Sequence, residues 1–410
     1  MDQLSPPIHE RPESSEKAPV YRIAVIQMYP KPMELEANYQ TADNFIRSAA
    51  KHDATLAVLP EYHLLNWVPH DEKFKEACGQ WKEYLERYQA LAKECNICIV
   101  PGTILELHDA GTEDEVLLNV AYFIDNTGEI VGRYVKKNLW GDIERLHLTS
   151  SSTDAHPVFD TPMGKVGLLI CWDLAFPEAF REMIRQGAKI IIIPTFWTLA
   201  DCSKAGLAVN PSAEALFLDS MLTARCFENT CAVIFANAGG PPGKGYAGLS
   251  QVCVPYAGAL TRLGSSAEGM AVVDLDMKIV EDAELNYQVR ADLARADWHY
   301  GYKHGHEAKT CLEHQSFRRF RKHLNIREAR FATRLTHADS LRGLSSVHTV
   351  QLEPVELRAV PQAVSEVLVS HENRFGVDGS EHTRRRGLSW DLNSCKVSTS
   401  SGVGGNGRLR

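Results

Sequence analysis

The sequence predicts an α/β protein in which helices cover β-sheets. From about residue 21 to about residue 300, strand-like and helix-like segments alternate along the chain. Several of the strand-like segments are continuously apolar, which is typical of strands whose sheet is covered on both faces. We find no internal repeat of roughly 20 to 50 residues, the period that indicates solenoid architectures.

Runs of aliphatic and aromatic residues predict the strands, and apolar residues at helical spacing predict the helices. The predicted strands are 21–28, 55–61, 97–107, 116–137 with a turn at 125–129, 165–171, 189–197, 231–238 and 269–277. The predicted helices are 33–53, 73–95, 177–188 and 212–230.

Length and composition are typical of a globular protein, with 410 residues, 44% hydrophobic and 23% charged. The net charge of −8 is unevenly divided, because residues 301–410 hold 18 Lys and Arg against 11 Asp and Glu. The rest of the chain is therefore strongly acidic, which argues against nucleic acid as its main partner. Because no apolar run reaches about 18 residues, we expect no membrane span.

The two ends of the chain differ in composition from the part between them. We interpret residues 1–20, which are polar and proline-rich without an apolar segment, as a disordered leader and not a signal peptide. Ten irregularly spaced cysteines fit reduced thiols, so we expect a cytoplasmic protein. Residues 301–410 are predicted to be a basic extension, helical near 317–334 and then disordered. Its arginine runs could serve nuclear import, but solvated surface or contact with another subunit is the more ordinary interpretation.

Three polar residues lie at or near the ends of predicted strands: Glu61, Lys136 and Cys171. Each alone has an ordinary explanation, since such a Glu is usually solvated, a Lys extends to solvent and a buried Cys packs as a small hydrophobe. Together they form a chemically sufficient set. A buried carboxylate can deprotonate a thiol, and an ammonium can balance the charge and stabilise an oxyanion. The three residues therefore predict covalent acyl transfer.

The segments around these residues resemble the nitrilase superfamily of carbon–nitrogen hydrolases over about residues 21–300. The matching motifs are AVLPEYHL around Glu61, GRYVKKNLW around Lys136, GLLICWDLAFPEAFR around Cys171, and NAGG…GLSQV near 237–252. They stand in the order and at the spacing of that family. The resemblance implies a four-layer αββα sandwich with a catalytic Glu–Lys–Cys triad, in a carbon–nitrogen hydrolase domain at 21–300.

One motif departs from the family pattern. The family's lysine usually follows an arginine, whereas Val135 stands at that place here and two lysines follow it. Alignment on Tyr134 and Leu139 assigns the catalytic place to Lys136 and a variable place to Lys137.

The resemblance also implies further site residues. A second carboxylate of the family matches Glu144, for which the alternative is an ordinary surface charge. The backbone N–H of Trp172 is expected to face the oxyanion beside Lys136. Tyr62, Trp172 and Trp197 are expected to line the substrate pocket.

The predicted reaction converts a small amide or nitrile into a carboxylic acid and ammonia through a thioester on the cysteine, with no metal or organic cofactor. The motif Cys-Trp-Asp favours an amidase over a true nitrilase, which usually has Cys-Trp-Glu; an N-carbamoyl amidohydrolase is a further alternative. Since the family commonly pairs its subunits, we expect a homodimer or larger homo-oligomer.

Other interpretations fit the sequence less well. A non-catalytic binding protein on the same fold is disfavoured by the intact triad. A papain-like protease would need a His and usually an Asn downstream, and the sequence around the cysteine does not match the local signature of such proteases. The segment GKGYAG (243–248) precedes a strand-like run and not the helix of a dinucleotide site. CNIC (95–98) is interpreted as packing, and the loosely spaced His304, His306 and His314 do not form a metal motif.

Overall fold

Two β-sheets stacked face to face, with helices on both outer faces, form the fold of this computed structural model, which describes residues 17–298. The predicted four-layer αββα sandwich is therefore confirmed. The predicted basic extension and residues 1–16 of the predicted leader lie outside the described residues. Among the helices of the described residues, none has the length and apolar character needed to cross a membrane.

In chain order the strands are β1 (Val20–Gln27), β2 (Leu56–Val58), β3 (Cys98–Val100), β4 (Thr103–His108), β5 (Val116–Ile124), β6 (Ile130–Val135), β7 (Val158–Thr161), β8 (Gly164–Leu168), β9 (Ile190–Thr195), β10 (Ala232–Asn237), β11 (Gln251–Val254), β12 (Gly258–Arg262) and β13 (Gly269–Asp276). The helices are α1 (Leu35–Lys51), α2 (Phe74–Cys78), α3 (Trp81–Cys95), α4 (Gly141–His147), α5 (Pro177–Arg185), α6 (Lys204–Val209), α7 (Ala213–Asn229), α8 (Met277–Tyr287) and α9 (Val289–Ala294).

Each sheet has a parallel centre and antiparallel edges. The first sheet has the order β13-β1-β2-β3-β5-β4, with β6 paired to β5, and the second has the order β12-β11-β10-β9-β8-β7. Strands β1, β2 and β3 run parallel, as do β8, β9 and β10. The last strand, β13, pairs antiparallel with the first, β1, over the whole length of both, from Val20 opposite Asp276 to Gln27 opposite Gly269.

Two apolar layers hold these parts together. One fills the space between the sheets and continues under α5 and α7; its fully buried members include Val25, Phe123, Ile192, Phe180 and Leu218. The other joins the outer face of the first sheet to α1 and α3, and its fully buried members include Ile26, Ile99, Ile46 and Tyr88. Removing this much apolar surface from water is the main force that holds the sandwich together.

The structure corrects several predicted element boundaries. The predicted helix 73–95 is two helices, because the chain breaks at Gly79, a residue type that weakens helices by about 1 kcal/mol relative to alanine. The predicted strand 97–107 is interrupted at Pro101 and Gly102, where Gly102 has a φ of +61°. The predicted strand 165–171 ends at Leu168, and a short 3-10 helix, Cys171–Ala175, follows.

Candidate active site

Glu61 follows β2 and lies at the carboxyl ends of the parallel strands of both sheets. Its side chain is fully buried, and its backbone N–H donates to the carbonyl of Thr195 at the end of β9, at 3.3 Å. Three donors fix the carboxylate. Oε1 accepts from Asn119 Nδ2 at 2.7 Å and from Lys136 Nζ at 2.8 Å, and Oε2 accepts from the backbone N–H of Phe196 at 2.9 Å.

Lys136 follows β6 and is also fully buried. Its ammonium lies between two carboxylates, 2.8 Å from Glu61 Oε1 and 2.8 Å from Glu144 Oε1. Glu144, on α4, is buried, and its Oε1 also accepts from the hydroxyl of Tyr62 at 2.7 Å. Its Oε2 accepts from the backbone N–H of Trp140 at 2.6 Å. Both carboxylates are therefore held in one orientation by several hydrogen bonds.

Cys171 begins the 3-10 helix that follows β8, in the second sheet. It has a φ of +46°, a backbone conformation that costs energy for any residue other than glycine. The residue is 6% exposed, so it is almost completely buried. The charges of Glu61, Lys136 and Glu144 all act on its thiol. The fold thus brings together a thiol from one sheet and charged side chains from the other.

Asp173 connects the segment that carries the lysine to the segment that carries the cysteine. Its fully buried carboxylate accepts from the hydroxyl of Tyr134 at 2.9 Å and from the backbone and side-chain amides of Asn138 at 2.9 and 2.8 Å. It also accepts from the backbone N–H of Ile170 at 3.0 Å. Tyr134 and Asn138 flank Lys136, and Ile170 immediately precedes the cysteine. The carboxylate therefore fixes the two segments relative to each other.

Burial is the largest influence on the ionisation of these side chains. It raises the pKa of Cys171 well above the usual value, with Glu61 and Glu144 adding to the increase and Lys136 opposing it. Burial also raises the pKa of Glu61, against the lowering effect of Lys136. Burial alone would lower the pKa of Lys136, but Glu144 and Glu61 outweigh it and raise that pKa well above the usual value. The resting site therefore holds a protonated thiol beside a charged ammonium.

Aromatic rings lie beside this charged group. The indole of Trp172 is 4.4 Å from that of Trp140, 5.4 Å from that of Trp197 and 6.2 Å from the ring of Phe217, measured between ring centroids. Trp197 Nε1 donates to Glu214 Oε2 at 2.6 Å. One wall of the site is therefore aromatic, with a carboxylate attached to it.

The structure brings the seven residues predicted from the sequence into one region, through direct contacts, ring contacts or charge interactions. They are Glu61, Lys136, Cys171, Glu144, Tyr62, Trp172 and Trp197. Of the two lysines, Lys136 lies in this group, whereas Lys137 is only partly buried and donates to the carbonyl of Asp154.

Three participants were missed in the sequence analysis. Asn119 is a buried polar residue in the otherwise apolar run VLLNVAYFI, and that contrast could have identified it. The backbone N–H of Phe196 and the side chain of Glu214 leave no such signal, because their positions follow from how β9 and α7 pack.

Within residues 17–298 no cluster of three or more His, Cys, Asp or Glu side chains is arranged to hold a metal ion. The chemistry that the described residues themselves can perform is nucleophilic attack by a thiol, with a carboxylate as base and an ammonium beside it.

Comparison with known proteins identifies the class to which this fold and site belong. The model of the carbon–nitrogen hydrolase family matches residues 22–284. The chain therefore belongs to the carbon–nitrogen hydrolase family, as the sequence motifs predicted.

The individual relatives include a fusion protein and an amidase. The chain is 31% identical over 271 residues to the nitrilase and fragile histidine triad fusion protein NitFhit of Caenorhabditis elegans, covering 63% of this chain but only 57% of that protein. It is 30% identical over 268 residues to 2-oxoglutaramate amidase of Bacillus subtilis, covering 64% of this chain and 91% of the relative. The similarity to the fusion protein therefore extends over little more than half of that relative.

A solved structure of an amidase from Nesterenkonia sp. AN1 is similar with a TM-score of 0.52 and 25% identity, covering 65% of this chain and 99% of that one. Its description reports Michael addition of acrylamide at the active-site cysteine of that protein. The relatives therefore include enzymes that cleave amides, at least one of them with a cysteine in its active site.

Proposed function

We propose that this protein is a cysteine-dependent amidase that hydrolyses a small amide to a carboxylic acid and ammonia. One observation carries the proposal. The ammonium of Lys136 lies 2.8 Å from each of two buried carboxylates, Glu61 and Glu144, next to the buried thiol of Cys171. Buried charges are costly, so an arrangement of this kind with a nucleophile beside it indicates chemistry more than stability.

In the acylation half of the reaction, Glu61 takes the proton from the thiol of Cys171 while the sulfur attacks the carbonyl carbon. The raised pKa of Glu61, caused by burial, makes it a stronger base than a solvated carboxylate. Lys136 and the backbone N–H of Trp172 stabilise the oxyanion of the tetrahedral intermediate. Glu61 then gives its proton to the departing nitrogen, the carbon–nitrogen bond breaks, and ammonia leaves a thioester behind.

In the deacylation half, Glu61 takes a proton from water as the water oxygen attacks the thioester. The carbon–sulfur bond breaks, the carboxylic acid leaves, and the proton held by Glu61 returns to the sulfur of Cys171. Glu144 keeps Lys136 in place throughout, through the 2.8 Å contact between them. The cycle consumes one water, and no cofactor takes part.

Two observations favour an amide over a nitrile. The Bacillus subtilis relative is named for amidase activity on 2-oxoglutaramate, and the Nesterenkonia protein is described as an amidase. The residue two positions after the cysteine is Asp173, and the motif Cys-Trp-Asp resembles the amidase and carbamoylase branches more than true nitrilases. A nitrilase or N-carbamoyl amidohydrolase is the alternative outcome of the test below.

We further infer that the catalytic domain spans residues 21–300 and forms a homodimer or larger homo-oligomer in the cytoplasm. The acidic charge of this part of the chain argues against nucleic acid as a partner. Light scattering of the full chain measures the oligomeric state directly, and a monomer would contradict that part of the inference.

The decisive experiment measures ammonia release from aliphatic and aromatic amides, the matching nitriles and N-carbamoyl compounds. Cys171→Ala is expected to lower the rate at least about 1,000-fold, since the residual catalysis of a site without its nucleophile is small. Cys95→Ala, which removes a partly exposed thiol at the end of α3, is the matched control. Intact mass during turnover is expected to detect an acyl group on the wild type. Unchanged ammonia release in Cys171→Ala would refute the proposal.

A further inference from the structure

The aromatic wall next to the cysteine has accessible surface. Trp140 is 37% exposed, and Trp172 and Phe217 are each partly exposed. Trp197 is 4% exposed and packs against the other rings. Its ring centroid lies 5.2 Å from that of Phe217 and 5.4 Å from that of Trp172. Exposed indole faces are a costly feature on a soluble protein unless something apolar covers them. Since Trp172 immediately follows Cys171, a group bound to these rings lies near the sulfur.

Two carboxylates hydrogen-bond to this wall or to the residue next to it. Glu214 Oε2 accepts from Trp197 Nε1 at 2.6 Å, which fixes that carboxylate against the rings. The carboxylate of Asp201 accepts from the backbone N–H and the hydroxyl of Thr198, the residue after Trp197, at 2.8 and 3.0 Å. At the cysteine itself, the main charge influences are the two carboxylates Glu61 and Glu144 and the single ammonium of Lys136.

An acyl group bound against this wall therefore meets apolar ring faces and a negative potential. A carboxylate on that acyl group would be repelled by Glu214 and Asp201, and it would find Lys136 already bound to two carboxylates at 2.8 Å. An uncharged aromatic or branched apolar group would instead bury surface against Trp140 and Trp172.

We propose that the site selects amides with an uncharged, aromatic or apolar acyl group, and that Glu214, held by Trp197, rejects acyl groups that end in a carboxylate. This inference rests on the amidase function proposed above. It makes Glu214 and Trp140 specificity-determining residues, which act on the choice of substrate and not on the bond-breaking steps.

The first test compares two alkylating reagents on the same sulfur. Iodoacetamide and iodoacetate differ in charge, so the ratio of their rates at Cys171, measured by peptide mass, cancels the intrinsic reactivity of the thiol. We expect this ratio to exceed that of 2-mercaptoethanol about tenfold, which corresponds to a repulsion of about 1.4 kcal/mol. Glu214→Gln keeps an acceptor for Trp197. In this variant the ratio of the iodoacetamide rate to the iodoacetate rate is expected to move at least halfway, on a logarithmic scale, from the wild-type value towards that of 2-mercaptoethanol.

The control for charge is Glu86→Gln, on the exposed side of α3, away from the site. It is expected to leave the ratio within about a factor of 2, the size of a screened long-range effect. A wild-type ratio equal to that of 2-mercaptoethanol, or an equal change in Glu86→Gln and Glu214→Gln, would overturn the proposed role of Glu214.

The second test measures ammonia release from 3-phenylpropionamide and from succinamate, which place an aromatic ring or a carboxylate at a similar distance from the amide. We expect kcat/KM to favour 3-phenylpropionamide at least about 100-fold, and Trp140→Ala to lower that preference about 10-fold. The substitution changes only the side chain, so the hydrogen bond from the backbone N–H of residue 140 to Glu144 is kept.

The two proposals fail in different ways. A preference for succinamate, with ammonia release still lost in Cys171→Ala, would refute the specificity and leave the amidase function standing. No ammonia from any amide, together with the expected charge selectivity in alkylation, would refute the amidase function and support the anion-rejecting wall.

Discussion

Glu61, Lys136 and Glu144 place two negative charges and one positive charge in a region that solvent hardly reaches. A buried ion pair contributes little net stability. Desolvation costs several kcal/mol per ion, and the attraction between the two charges only partly offsets that cost. The third charge leaves the group with a surplus of negative charge, which raises the pKa of the neighbouring thiol beyond the effect of burial. In the proposed mechanism, the thiol therefore keeps its proton until Glu61 takes it during the attack.

Glu61→Gln is expected to lower kcat/KM for the best amide by about 10²- to 10⁴-fold, the usual contribution of a general base. Glutamine has the same shape but only one acceptor oxygen, which can stay with Asn119 and Lys136 while the backbone N–H of Phe196 loses its acceptor. The protein is therefore expected to fold with a loss of about 1–3 kcal/mol in stability. Thermal unfolding followed by circular dichroism checks that the variant is folded before its kinetics are compared.

The pH dependence of the wild type gives an independent check on the same residue. Because burial raises the pKa of Glu61, protonation inactivates the base at a pH above the ordinary carboxyl range near 4.3. We expect kcat/KM to decline as the pH falls through that raised value. An acid limb at or below about pH 4.3 would contradict the assignment of Glu61 as the base.

At the scale of elements, Gly102 joins β3 to β4 and lies directly beside the segment that carries Glu61. Its φ is +61°, and a Cβ at this position would overlap the carbonyl oxygen of Pro60, a backbone atom that cannot move away without shifting Glu61. Gly111 offers the matched control, because its φ is +76° and a Cβ there would meet no atom within 4 Å.

Gly102→Ala is therefore expected to lower both the free energy of unfolding and kcat. Gly111→Ala is expected to cost about 1 kcal/mol in stability, from backbone strain alone, and to keep normal activity. Urea unfolding and amide turnover measure the two effects. Equal losses of stability and activity in the two variants would show that contact with Pro60 plays no part.

Asp173 also connects two elements, because its carboxylate accepts hydrogen bonds from both Asn138 and Ile170. Asp173→Asn leaves one acceptor oxygen where there were two, so at least one buried donor loses its partner, at a cost of about 1–3 kcal/mol. We expect kcat to fall about 10- to 100-fold with a smaller change in KM, as positioning errors affect the reacting groups most.

The control for that experiment is Asp160→Asn, which removes an exposed carboxylate from β7. It is expected to keep both kcat and stability. If Asp173→Asn lost stability but kept its kcat and pH profile, Asp173 would be a structural residue only.

Most of the strands and helices, and the three central site residues, were predictable from the sequence. Glu61, Lys136 and Cys171 were recognised because each charged or reactive residue interrupts an apolar run near a strand end. The break at Gly79 and the early end of β8 at Leu168 were not predicted, because apolar periodicity continues through both places and local backbone geometry decides. Glu214 had no signature at all, since it becomes part of the site only when α7 packs against Trp197.

At the scale of the whole molecule, two buried histidines make stability depend on pH. Burial lowers the pKa of His63 to about 3 and that of His156 to about 4. Both imidazoles are therefore neutral in the fold but become protonated in the unfolded chain below about pH 6.5. Their contribution to stability is complete above that pH and is lost as the pH falls towards their folded values.

The free energy of unfolding is expected to fall by up to about 1.4 kcal/mol per pH unit and per histidine between pH 6.5 and 5. Urea unfolding at several pH values measures the slope, and His156→Gln is expected to reduce it. His52→Gln, at an exposed position after α1, controls for the loss of an imidazole. A slope unaffected by His156→Gln would contradict the prediction.

The pairing of β1 with β13 has a consequence for protein synthesis. Residues 28–268 separate the two strands, so at about 5–20 residues per second β1 waits for its partner for tens of seconds on the ribosome. During that time β1 stands at the edge of an unfinished sheet, with the unpaired backbone groups of VYRIAVIQ available to other chains. A nascent chain stopped before residue 269 keeps that edge open, and a chaperone that covers extended apolar segments protects it until the last strand arrives.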